Sequence, residues 1–465
     1  MQKEDVKIMT RQILELLEKR DLKTLKKELN ELSLHELINL FQSLEGIEDK
    51  NLIVIFRMLN KELSLDVFEN LEPDYQKKML KAFSDEFAAE IIAELAPDDR
   101  AEILDELPAK VAKKLTKSLD AEEREKTSML LGYPPETAGR IMTPDYISLK
   151  EEMTVSEAFE RLRKNREEVR EKETVYMLYV TDKNRKLNGV LSLRDLVLAT
   201  EDQKIKDIME HNVVSVYTRQ DQEEVATIIK NNDFIAVPVV DREQRLVGIV
   251  TVDDAMDILE EETTEDIFTK AGMGVMRQEQ GKSAALVRGS MLTVWKVRIP
   301  FLLITLGGGM MAGAVINSFE EALAAVTALA IFIPVIMDMG GNTGTQSSTI
   351  FTRGLVLGQI NPRRFMRHLL REMGIGFSMG IILGILAGFI AYLWQGIPEL
   401  GIAVGTSLAL TVTIASSLGF LVPFILVKLG LDQAAGADPV ITTIKDITGL
   451  MIYFYSAILF LGHLL

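Results

Sequence analysis

The sequence predicts a multidomain chain: an all-α helical N domain, an α/β pair of tandem repeats, a connecting helix and an α-helical transmembrane domain of five spans. Three observations predict it. Charge is divided unevenly: residues 291–465 carry nine Lys/Arg and eight Asp/Glu, whereas residues 1–290 carry 43 and 60, a net of −17. Apolar stretches long enough to cross a bilayer crowd the C-terminal part. Between the two, one pattern occurs twice within 139–262. An acidic part suited to water is therefore fused to a membrane part.

Residues 1–132 show helical periodicity throughout, punctuated by "LEPD", "LAPDD" and "ELPAK". Pro at the first helical position, followed by acidic residues in the first turn, marks a helix start. Asp66, Asp98, Asp99, Glu102, Asp105 and Glu106 recur at helical spacing and make the faces acidic. No positive stripe is present, which argues against a nucleic-acid partner. The first residues are polar and charged, unlike a cleavable signal peptide. Cysteine is absent, which excludes disulfides, thiolate metal sites and cysteine nucleophiles. The four histidines (His35, His211, His368, His463) are scattered, which argues against a histidine zinc site. A bound metal would take oxygen ligands, the donor set of magnesium, calcium or manganese.

Residues 133–262 hold the repeat. "GRIMTPDYISLKEEMTVSEAFERL" is echoed by the stretch from "KDIMEHNVVSVYTRQDQEEVATII", and "MLYVTDKNRKLNGVLSLRDLVLA" by "IAVPVVDREQRLVGIVTVDDAMD". Each copy reads as a short strand, an amphipathic helix, two strands around a turn, and a second helix opening at an acidic residue. Asp195 in "SLRD" and Asp254 in "TVDD" occupy the same place in the two copies, and helix capping is one use of aspartate there. Residues 263–293 form the connecting helix. Across the junction, Asp254, Asp257, Glu261, Glu262, Glu265 and Asp266 make an acidic run with i, i+3 and i+4 relations. Like charges at those spacings oppose a helix, so solvation or divalent cations must offset them.

Residues 294–465 contain apolar segments at roughly 297–317, 322–342, 374–394, 402–427 and 439–462. Every Lys/Arg-bearing connection (Lys296 and Arg298; Arg353, Arg363, Arg364, Arg367 and Arg371; Lys428) falls on the side of the acidic part, which is therefore expected in the cytoplasm with the C-terminus outside. The third segment carries Gly376, Gly380, Gly384 and Gly388, a spacing that lets helix backbones approach in lipid. In the second, apolar character gives way after Pro334 to "DMGGNTGTQSST". That stretch reads either as irregular backbone lining a cavity or as a surface loop. The last segment contains "TTIKDITGLMIYF", with Asp446 at membrane depth. A carboxylate there is costly and by default marks an ion pathway. Neighbouring helical residues diverge by about 100°, so Lys445 does not face it.

The repeat pair resembles a tandem CBS module. That likeness implies a cleft for ATP or another adenine nucleotide, held by Arg194, Asp195 and Phe234. As a whole the chain resembles the MgtE family of magnesium channels and transporters, most specifically in "GGNTGTQSST" and "LDQAAGADPVITTIKDITGLMIYF" and in the order of domains. The resemblance implies a homodimer in the cell (inner) membrane that takes up Mg2+. It implies a pore ion site at Asp446 of both subunits, with Thr442, Gly449, Gly341 and Thr349 lining the path. Asp338 and Thr345 depart from the family pattern at the entrance. It further implies regulatory Mg2+ held by Asp66, Asp98 and Glu102 of the N domain and by Asp221, Glu223, the Lys230 carbonyl, Asp233 and Asp254 of the second repeat. Asp257, Glu262, Glu265 and Asp266 of the linker complete that set, and Asp432 ties the linker to the membrane part. Two rivals stand beside this reading: a transporter of manganese, cobalt or nickel, and a membrane-tethered nucleotide sensor without transport. No nucleophile–base arrangement points to an enzyme.

Overall fold

The computed structural model describes residues 3–44, 49–71, 73–166, 169, 172–271, 286, 290–429 and 437–463. The chain divides into two compact units after residue 262.

Ten helices are described in the first part of the soluble unit, among them α1 (Lys3–Glu18), α5 (Lys61–Glu69), α7 (Asp85–Glu94), α8 (Pro97–Glu106) and α10 (Ala121–Leu131). Their apolar stripes meet in one core that includes Leu25, Phe41, Phe56, Phe68 and Ile92. Pro97 opens α8, leaving Asp98 and Asp99 in its first turn where the positive end of the helix dipole favours them. Arg100, 1% exposed, donates to the carbonyls of Ile92, Ala93 and Leu95 at 2.8, 3.1 and 2.6 Å. It thereby satisfies acceptors that the end of α7 leaves open. Arg100 also reaches Thr127 and pairs with Glu123 on α10.

The repeats follow. The first comprises α11 (Ala138–Ile141), β1 (Ser148–Lys150), α12 (Val155–Lys164), β2 (Met177–Thr181), β3 (Leu187–Ser192) and α13 (Leu193–Leu198). The second comprises α14 (Ile205–Ile208), β4 (Val216–Tyr217), α15 (Gln222–Asn232), β5 (Ala236–Val240), β6 (Leu246–Thr251) and α16 (Val252–Lys270). Each sheet has three strands, with the first parallel to the second and the second antiparallel to the third. Leu149 pairs with Val180 and Tyr179 with Val190; Val216 pairs with Val239 and Val237 with Val250. The repeats exchange their leading segments. Thr143 bridges to Ile249 of the second sheet, and Glu210 to Val190 of the first. Glycine makes room at both crossings: a Cβ on Gly248 would lie 2.6 Å from Met142 Sδ and 2.9 Å from the Thr143 carbonyl, and one on Gly189 would displace the Met209 side chain.

The membrane unit contains α17 (Met291–Ser318), α18 (Glu320–Ala325), α19 (Ala328–Val356), α20 (Phe365–Gln395), α21 (Pro398–Lys428) and α22 (Ala437–Leu461). Among the described residues, four stretches are long and apolar enough to cross a membrane: Val294–Ser318, Pro362–Gln395, Pro398–Lys428 and Ile441–Leu461. The 29-residue α19 is a fifth long helix whose second half is polar. The expectation of irregular backbone or a loop across "DMGGNTGTQSST" is corrected: the whole stretch is α-helical. Small side chains do there what they do in lipid generally, letting helices close on one another. A Cβ on Gly344 would lie 3.2 Å from Ile441 of α22, and one on Gly419 of α21 would lie 2.6 Å from the Gly344 carbonyl. The glycine ladder of α20 meets α21 in the same way, with Gly380 against Ala409 and Gly388 against Gly401.

Candidate cation sites

In the soluble unit, carboxylates from three helices and one loop converge. Asp98 and Asp99 are placed by the first turn of α8, and Glu102 by the next turn. Asp254 sits at the third position of α16, where Thr251 donates to its Oδ2 through Oγ1 at 2.5 Å. Asp195 repeats this in the first CBS-like copy, with Ser192 Oγ 2.5 Å from its Oδ2. Both aspartates thus support helix starts from the third position, and Ser192 itself is the N-cap of α13.

The convergence is electrostatically strained. Burial, then the fields of Asp254, Asp99 and Glu173, hold Asp98 well above the usual carboxylate range, and its Oδ1 is buried without a hydrogen-bond partner among the described residues. Burial, then Asp253 and Asp257, pushes Asp99 up to about 6. Glu102 keeps solvent contact, yet the protein packed around it, then Asp99, Glu106, Glu261 and Asp254, pushes it up to about 8. Asp254 rises to about 7 through burial, against the opposing Thr251 bond and with Asp253, Asp99 and Glu173 adding to it. Asp257 rises through partial desolvation and then Glu260 and Asp253. Glu69 of α5 rises to about 7, from burial and then Asp99, Asp66 and Glu173.

Five of the expected sensor residues therefore join one field: Asp66, Asp98, Glu102, Asp254 and Asp257. Glu69 and Glu173 belong with them. Glu69 follows Asp66 by three residues, a helical spacing that points to it; Glu173 lies in a charged loop with no periodicity to mark it. The remaining expectations fall elsewhere. Asp221 is the N-cap of α15 with Glu223 beside it, while Lys230 and Asp233 close its far end, roughly 18 Å away at 1.5 Å per residue. The two ends cannot share an ion. At the near end, Gln222 Nε2 donates to Glu262 Oε1 at 2.7 Å, which ties Glu262 to the first turn of α15. Glu265 and Asp266 lie further along α16. Among the described residues no three carboxylate or imidazole groups stand ready to enclose a metal ion. The oxygen-only donors and the open valence of Asp98 Oδ1 nevertheless fit a hydrated divalent cation, which magnesium is slow to stop being. Arg194 and Asp195 are exposed on the first turn of α13, and Phe234 is half-buried ahead of β5.

In the membrane unit, Thr442 and Asp446 lie one turn apart on α22 and are half-buried. Lys445 points to α19 instead: its Nζ donates to the Gly341 carbonyl at 2.8 Å. Gly449 is buried, and a Cβ there would lie 3.0 Å from Thr411 of α21. Thr349 is exposed two turns beyond Gly341, about 12 Å along α19, so the two serve different levels of any path. Asp338 is exposed and accepts from Asn342 at 3.1 Å. Glu372 of α20 is buried and takes hydroxyls from Ser347 at 2.6 Å and Ser416 at 2.9 Å, joining three helices. Asp432 lies outside the described residues, as do 272–285 and 287–289 of the expected connecting helix.

A family model described as a divalent cation transporter matches residues 333–456. The MgtE intracellular N domain model matches 38–136, and the CBS domain model matches 138–202 and 205–261. The magnesium transporter MgtE of Thermus thermophilus is 38% identical over 451 residues, covering 96% of this chain and 97% of the relative. That of Bacillus subtilis is 35% identical over 401 residues, covering 86% of each. The crystal structure of the cytosolic domain of the Mg2+ channel MgtE in complex with ATP superposes with a TM-score of 0.50 and 37% identity, over 54% of this chain and 99% of that one. With an acidic helical domain, a CBS pair and a helical membrane unit in the same order and near-complete coverage, this chain belongs to the MgtE family, whose members are magnesium transporters and not enzymes.

Proposed function

We propose that the chain carries Mg2+ into the cell as a homodimer in the cell membrane, with its acidic unit in the cytoplasm and its C-terminus outside. One observation carries this reading: Asp446 is half-buried on α22, which packs on the polar stretch of α19. An intramembrane carboxylate is held there at a cost, and a cation passing by offsets it. Five helices would span, α19 being the polar one. Asp446 and Thr442 would touch the waters of the ion, since magnesium sheds them reluctantly. Gly341, Thr349 and Gly449 shape the path around them.

The cytoplasmic carboxylates supply the regulation. Asp98 and Glu102 on α8 and Asp254 and Asp257 on α16, with Asp66 and Glu69 beside them, hold a regulatory divalent cation. A second is held by Asp221, Glu223 and Glu262, and further ones by Lys230 and Asp233 and by Glu265 and Asp266. The cation supplies positive charge that offsets carboxylate repulsion. With that repulsion offset, the faces of α8 and α16 stay together and the linker keeps the path shut. Without it they part, a two-state switch biased by ligand. An adenine nucleotide, with Arg194, Asp195 and Phe234 as its holders, tunes the same switch.

Full-length protein in liposomes loaded with a Mg2+-sensitive dye tests the reading. The expected result is saturable Mg2+ entry that Asp446→Ala abolishes while the protein elutes at its normal size. Undiminished entry through Asp446→Ala overturns the path assignment. Entry of Mn2+, Co2+ or Ni2+ in preference to Mg2+ would transfer the path to another ion.

A further inference from the structure

The geometry points to Lys445 as the residue that sets how tightly the membrane path holds its ion, by keeping a tethered positive charge on the Gly341 carbonyl next to Asp446. This rests on the reading of Asp446 as the ion site.

Lys445 is 3% exposed, a rare state for lysine and one with a substantial cost in desolvation and rotamer freedom. Its stem lies along the glycines of α19. A Cβ at Gly344 would sit 3.4 Å from Lys445 Cδ, and one at Gly341 would sit 3.6 Å from Nζ. Those are ordinary contact distances, so the stem packs along the Gly341–Gly344 face of α19. The ammonium ends 2.8 Å from the Gly341 oxygen. That carbonyl lies within a continuous helix, where one lone pair serves the backbone ladder and the second is free for another donor. A partly dehydrated metal ion could use that second lone pair. Lys445 already does.

Position in the chain adds the electrostatic consequence. Lys445 precedes Asp446, and α-carbons of successive residues are about 3.8 Å apart. Their side chains leave α22 about 100° apart, so the two charges are not in contact, yet unit charges several ångströms apart in a poorly screened interior still act on one another. A path that conducts must bind its ion well enough to admit it and loosely enough to release it. Lys445 supplies the loosening: it withdraws one oxygen from the ion and offsets part of the carboxylate's field.

Three substitutions separate this from a mere pin between α19 and α22. Lys445→Met keeps the stem and removes charge and donor; Lys445→Gln keeps an N–H donor without charge; Lys445→Arg keeps both. Each is reconstituted full-length, and initial Mg2+ entry is measured against Mg2+ concentration. The expected result is that Met and Gln lower the half-saturating concentration on the order of tenfold and also lower the maximal rate, while Arg stays near wild type. A structural pin would lower the rate and leave half-saturation in place, and that result overturns the inference. So does loss of folded protein in both Met and Gln variants with Arg intact, which would assign Lys445 to the fold alone. Asp446→Ala in the same series keeps the two ideas apart. If it still conducts, the ion-site reading fails; if it is silent while Met and Gln saturate like wild type, only the role of Lys445 fails.

Discussion

At Asp98, burial and three neighbouring carboxylates act in one direction and strengthen its hold on a proton. The same holds for Glu102, raised to about 8, and Asp254, raised to about 7. A group whose pKa is higher folded than unfolded binds more protons in the folded state, so stability falls as pH climbs through that interval. The soluble unit should therefore melt at lower temperature in chelator at pH 8 than at pH 5. Added Mg2+ should flatten the trend, and so should Glu102→Gln with Asp254→Asn. Melting that rises with pH in chelator would contradict the strained cluster. Arg100 answers to different physics. Arg100→Met strands the carbonyls of Ile92 and Leu95 and breaks the Glu123 pair, at about 3 kcal/mol in urea unfolding. An unchanged midpoint would show that water replaces the guanidinium. In the sequence, Asp98, Glu102 and Asp254 show as acidic residues at helical spacing, and it is the resemblance to the MgtE family that assigns them to a cation. The sequence leaves Glu173 and the Lys445–Gly341 bond out of reach, because both depend on a partner distant in the chain.

Between helices, α20 and α21 fit through glycines on both sides. A Cβ on Gly384 would collide with the Gly405 carbonyl, and one on Gly405 would lie 2.7 Å from the Gly384 oxygen. Gly384→Val should thus lower the melting temperature of detergent-solubilised protein by several degrees, as overpacking does. Gly313→Val on α17, with nothing among the described residues within 4 Å of its Cβ, should change the protomer's own packing little. Equal loss in both variants would remove the ladder from its role. The ladder was readable because its spacing is the helical one. The α19 stretch was not: Gly, Asn, Thr and Ser signal loops in water, and the same residues signal tight helix contacts once α21 and α22 are against them. The order of strands and helices in each repeat was also readable. The exchange of leading segments, with Met142 over Gly248 and Met209 near Gly189, was not, since it joins residues more than a hundred and about twenty positions apart.

Across the whole molecule, regulation by a divalent cation predicts that millimolar Mg2+ slows proteolysis between residues 262 and 290 of the full-length protein. Weakly held, partly hydrated ions set that concentration range. Cleavage indifferent to Mg2+ would separate the acidic cluster from the linker. Calorimetry with ATP addresses the nucleotide: Asp195→Ala should weaken the heat of binding while leaving Mg2+ protection measurable. Protection lost along with the nucleotide would make the two one site. The 19-residue α16 unites the two halves of this behaviour, since Asp254 opens it and Glu265 and Asp266 lie near its end. Because it is one unbroken helix, whatever it conveys carries a phase as well as a length. Inserting one alanine after Leu259 would turn everything beyond by about 100° while adding only about 1.5 Å; inserting seven would add about 10.5 Å yet return the register to within about 20°. If rotation is what travels along α16, the single insertion should uncouple Mg2+ from the path, and the longer one should spare it.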